Sequence, residues 1–66
     1  MELKDIIPNL NKPVRYSKST YILRGSVVRK TEQGQLYYTA ELLDKNKRSL
    51  VYADLSAVEL EKTNEI

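Results

Sequence analysis

Glu41 and Asp44 are two carboxylates close together in the strand-like middle of the chain. Side chains three positions apart on a strand point to opposite faces, so the pair cannot serve as the acid and base of one site. The sequence has no His for general acid–base work and no Cys for a covalent intermediate. Gly25 and Gly34 stand alone and form no phosphate-binding loop. Without Cys or His, a structural zinc site is not expected either. The residues therefore argue for a protein that is not an enzyme, needs no cofactor or metal, and takes no small-molecule substrate.

What remains is the chemistry of binding. The net charge is only +2, but it is unevenly spread. Residues 10–52 carry an excess of six positive charges, the first nine residues are at −1, and residues 53–66 are at −3. A basic body with an acidic tail can attract a polyanion, and the same excess also serves solubility. Tyr37 is the aromatic residue expected to face away from the core, and Tyr52 is a second candidate. The expected binding surface is an outer face carrying Arg24, Arg29, Lys30, Tyr37, Glu41, Lys45, Lys47 and Arg48. Within it, Glu41 is expected to pair across strands with Arg24 or Arg29.

These residues must be held by strands. The runs from Tyr21 to Lys30 and from Gln35 to Lys45 are the longest β-type segments, and Thr31-Glu32-Gln33-Gly34 between them predicts a hairpin. The first run is apolar on both faces, which a bulge or coil would explain by swapping the buried face, with Gly25 as the kink. In the second run Leu36, Tyr38, Ala40 and Leu42 alternate with Tyr37, Thr39, Glu41 and Leu43. The expected core is Leu23, Val27, Leu36, Tyr38, Ala40 and Leu42.

The flanks are shorter. Leu3, Ile6 and Ile7 suggest a helical turn that Pro8 should end, capping one open end of the sheet. Val14–Ser17 reads as a first strand, and Ser17-Lys18-Ser19-Thr20 as a turn. Asp44-Lys45-Asn46-Lys47 reads as another, with Asn46 suited to positive φ. Ser49–Ala53 reads as a fourth strand, in which either Val51 or the pair Leu50 and Tyr52 faces inward. Asp54-Leu55-Ser56-Ala57 suits a 3₁₀ turn capped by Asp54, and Val58–Leu60 a fifth strand. Residues 1–60 thus read as one domain, with residues 1–12 as cap and loop, residues 13–60 as a barrel, and residues 61–66 as a flexible acidic tail.

This order of elements resembles the SH3-like barrels. The resemblance is carried by Val14-Arg15-Tyr16, by Tyr21, Leu23 and Gly25, by Tyr38, Ala40, Glu41, Leu42 and Asp44, and by Leu55-Ser56-Ala57-Val58-Glu59. The chain also resembles small uncharacterised proteins of bacteriophages and mobile elements from low-GC Gram-positive bacteria. The implied fold is all-β, a five-stranded barrel with an N-terminal helical turn and a 3₁₀ turn before the last strand. It departs from signalling SH3 domains in having no Trp and no acidic loop in the matching place, which speaks against proline-rich ligands.

Two functions are compatible with these residues. One is an interaction module that offers a barrel face or strand edge to a protein partner or a second copy, using the leftover apolar residues Ile22, Val28, Leu43 and Leu50 or Val51. The other is direct nucleic-acid binding, with Tyr37 as a stacking platform and the basic residues on phosphates. No apolar run approaches the roughly 18 residues of a membrane span, and no leader is evident at the N-terminus. No membrane partner is expected, and the expected location is the cytoplasm.

Overall fold

The computed structural model describes residues 1–61, so the expected tail falls outside the described residues apart from Glu61. Five antiparallel strands form one sheet: β1 (Pro13–Tyr16), β2 (Ser19–Lys30), β3 (Leu36–Asp44), β4 (Ser49–Asp54) and β5 (Glu59–Leu60). Their spatial order is β4-β3-β2-β1-β5. The only helical elements among the described residues are three single 3₁₀ turns, at Leu3–Asp5, Ile7–Asn9 and Leu55–Ala57. The expectation of an all-β fold is borne out.

The turns explain how the strands meet. Tyr16 pairs with Ser19, leaving Ser17 and Lys18 as a two-residue loop, both at positive φ (52° and 67°). That is the handedness which matches strand twist, obtained here without glycine. Between β2 and β3 the Gly34 N–H donates to the Thr31 carbonyl at 2.9 Å, and Thr31 N–H donates to the Gln35 carbonyl at 2.8 Å. Gly34 itself takes φ 90°, as a three-residue hairpin loop requires. Between β3 and β4, Asp44 Oδ1 accepts from the N–H groups of Asn46 and Lys47. The positive φ there belongs to Arg48 (53°) rather than to Asn46, because Asp44 fixes the start of the loop and leaves its last residue to turn the chain back.

β2 has a bulge. Leu23 pairs with Leu42 and the next pair is Gly25 with Glu41, so Arg24 is the extra residue. The consequence is a switch of face. Tyr21 and Leu23 lie on the inner side, but beyond the bulge it is Ser26 and Val28 that share the inner side with Ala40 and Tyr38, while Val27 and Thr39 are paired on the outer side. Gly25 marks the switch, as expected. Val27 is not a core residue, which corrects that assignment.

The core lies on the inner face. Val14, Leu23, Ala40, Leu42, Ala53, Leu55 and Val58 are buried together, and Met1, Ile6, Tyr16, Tyr21, Tyr38 and Val51 pack against them. Val51 pairs with Leu42 and Ala53 with Ala40, so Val51 faces inward and Leu50 and Tyr52 outward. Leu36 is 59% exposed, because the hairpin end overhangs the core; this too corrects the expected set. The N-terminal segment packs against the core through Met1 and Ile6, and the Met1 ammonium donates to the Val58 carbonyl at 2.6 Å. Pro8 does not end this segment but sits inside its second turn, where a missing N–H costs nothing. Ile7, on the same turn, is exposed. Asp54 precedes the last 3₁₀ turn yet its side chain makes no capping hydrogen bond.

Candidate functional site: the outer sheet face

The outer face is built by β2, β3 and β4 in rows across the sheet. Ile22, Leu43 and Leu50 form one row, Gly25, Glu41 and Tyr52 the next, then Val27, Thr39 and Asp54, and finally Arg29 beside Tyr37. Period-two alternation along β3 puts Tyr37, Thr39, Glu41 and Leu43 on this side for the same reason that Ala40 and Leu42 are buried on the other.

Its apolar part is concentrated at one end. Ile22 and Leu43 are half-buried and Leu50 is 48% exposed, and none of the three packs against the core cluster. The strand register sets them side by side across three strands. The middle is polar and specific. Tyr52 Oη donates to Glu41 Oε2 at 2.8 Å, and the bare Cα of Gly25 leaves room for that carboxylate, whose other oxygen lies 3.6 Å from where a Cβ would stand. The hydrogen bond and the negative charge of Glu41 hold the Tyr52 phenol above its ordinary pKa of 10.0, an effect opposed by Arg29. Thr39, buried in the next row, is satisfied by donating to the Val27 carbonyl.

The expected site residues are thus only partly brought together. Arg29, Tyr37 and Glu41 share the outer face. Glu41 takes its partner from β4 as Tyr52, and among the described residues neither Arg24 nor Arg29 forms an ion pair with it. Arg24 is exposed in the bulge. Lys30 pairs with Leu36 on the other side of the sheet from Arg29. Lys45, Lys47 and Arg48 occupy the β3–β4 loop, seven residues along β3 from Tyr37, or about 23 Å at the rise of a strand. Val28, grouped with Ile22 and Leu43 by its apolarity, points to the inner side of the overhanging hairpin. Tyr52 is the functional candidate whose pairing the sequence pattern missed.

A second concavity opens on the inner side, between that hairpin and the last 3₁₀ turn, lined by Met1, Thr31, Leu36, Tyr38, Leu55 and Ser56 among others. It is wide and open, and its lining also includes Gln35, Tyr37 and Asp54. Among the described residues no group of three or more His, Cys, Asp or Glu could hold a metal ion, and no helix is long and apolar enough to cross a membrane. No family model, curated protein or solved structure matches this chain.

Proposed function

We propose that the chain is a non-catalytic interaction module of SH3-like type, whose outer sheet face docks on a protein partner. The observation that carries this reading is the row Ile22, Leu43 and Leu50, apolar side chains from three adjacent strands that lie away from the core. Exposed apolar residues scattered singly need no explanation, but a contiguous set rimmed by polar groups marks a contact surface. Tyr52 and Tyr37 extend it with rings that are apolar on the body and polar at the tip, a type enriched at interfaces. The rigid sheet beneath means that little conformational entropy is lost on docking.

Capture from host extract with immobilised protein tests it. A partner held by the wild type and by a Lys45→Ala, Lys47→Ala variant, but lost from Leu43→Asp, is the expected result. Retention by Leu43→Asp overturns the assignment of the face.

One observation favours a second reading, direct nucleic-acid binding. Arg29 and the 40% exposed Tyr37 stand directly opposite each other, a cation beside a stacking ring. The division of the remaining basic residues between the loop and the other face leaves that pair with few phosphate contacts nearby. Oligonucleotide binding at low salt that weakens as salt rises would favour this reading over the first.

A further inference from the structure

The two edges of the sheet are unlike. β5 is two residues long and carries Glu59, which is how natural sheets discourage edge pairing. β4 offers six residues, Ser49-Leu50-Val51-Tyr52-Ala53-Asp54, with no Lys, Arg or Pro within the strand and no bulge in its register with β3. Such an edge is a template for another strand. Its sequence also says which strand. Laid antiparallel on a second copy of itself about Val51, it sets Val51 against Val51, Leu50 against Tyr52, Ser49 against Ala53, and Arg48, one place before the strand, against Asp54.

Every strand position in that register finds a compatible partner, and Arg48, in the turn just before the strand at φ 53°, meets Asp54 through its long side chain rather than as a ladder pair. Leu50, Tyr52 and Asp54 lie on the outer face and Val51 and Ala53 on the inner, so opposed residues share a face as an antiparallel pair demands. The exposed Arg48 and Asp54 supply opposite charges at both ends, twice over by symmetry. Shifting the pairing by two residues one way opposes Leu50 to Asp54 and the other way Asn46 to Asp54, and either leaves Arg48 without a carboxylate; shifting it by one sets inner residues against outer ones.

We infer that the chain self-associates through β4, two copies joining their sheets edge to edge about a twofold axis at Val51, with Arg48 of each facing Asp54 of the other. The pairing is a property of the edge and stands whether or not the outer face binds another protein. Six residues a side make a small contact, below the roughly 1,200 Å² of stable complexes, so the association is weak and concentration-dependent.

Sedimentation velocity over about 10 µM to 1 mM tests this by mass action. The expected result is a shift from 7.6 kDa towards twice that mass. Arg48→Asp alone and Asp54→Arg alone should each weaken the dimer roughly 5- to 30-fold, since two opposed pairs turn from attractive to repulsive. The double exchange should restore it. Both residues are exposed, and circular dichroism confirms that each variant folds. A species that stays monomeric at the highest concentration overturns the proposal, as does a dimer that neither single exchange weakens.

Discussion

Leu42 and Leu43 are neighbours in the chain with nearly opposite fates. Leu42 has no accessible surface and packs with Leu23, Ala40, Val14 and Val58. Leu43 lies half-buried in the row between Ile22 and Leu50, on the side of the sheet that no second layer covers among the described residues. The same pair of fates is repeated across the ladder by Leu23 and Ile22. One sheet therefore carries two apolar surfaces, of which one holds the fold together and the other is available for contact. In a chain of 66 residues, where a core can bury only a modest share of the surface, leaving such side chains outside is a cost to solubility that binding would offset.

The largest expected effect tests this contrast directly. Leu42→Ala should destabilise by about 2–5 kcal/mol, because it removes buried methyl groups and leaves a void with no room to collapse. Leu43→Ala should cost less than about 1.5 kcal/mol, since only part of its surface leaves water on folding. Urea unfolding followed by circular dichroism measures both. Equal losses would mean that the outer row is packed like a core, and its reading as a docking surface would fail.

How far the two faces were legible follows from the bulge. On β3 the alternation is unbroken, and Tyr38, Ala40 and Leu42 could be assigned inward from the sequence alone. On β2 the same counting, carried through Arg24, sends Val27 to the wrong side, because one unpaired residue shifts every later side chain to the other face. Gly25 flags where this happens, but period two cannot say which residue is the extra one. β4 is short and apolar on both sides, so only its pairing with Leu42 and Ala40 decides that Val51 and Ala53 go in. For the site, the shared face of Arg29, Tyr37 and Glu41 follows from local pattern. The distance of Lys45, Lys47 and Arg48 from them does not, since it depends on where the strands end. The bond from Tyr52 to Glu41 is a cross-strand contact eleven residues apart in sequence, and nothing in either local pattern selects Tyr52 over the two arginines.

A change that touches neither face gives the comparison its scale. Lys18 holds φ 67° in a two-residue loop, a conformation that costs a residue with a Cβ and costs glycine little. Lys18→Gly should therefore stabilise by about 0.5–1 kcal/mol, the gain from relieving φ being reduced by the greater freedom of glycine in the unfolded chain. It should leave any partner capture and any self-association unaltered. A loss of stability would show that the Lys18 side chain contributes more than its backbone strain costs.

The smallest effect concerns the polar centre of the outer face, and it has a sign that can be fixed in advance. The neutral Tyr52 phenol donates to Glu41, and both the hydrogen bond and the carboxylate charge raise its pKa above 10.0, with Arg29 pulling the other way. A group whose pKa is raised on folding adds stability while it is protonated in both states, and that contribution disappears as pH rises through the folded value. Wild type should thus be slightly more stable than Tyr52→Phe at neutral pH, and the difference should shrink above about pH 10 as the phenolate forms beside Glu41. In a titration of tyrosine absorbance, Glu41→Gln should move one phenol back towards its ordinary range. If Tyr52→Phe matches the wild type at every pH, the bond between Tyr52 and Glu41 adds nothing to folding. The outer face would then be ordered by its apolar row alone, and the contrast between the two faces would reduce to how deeply each buries its leucines.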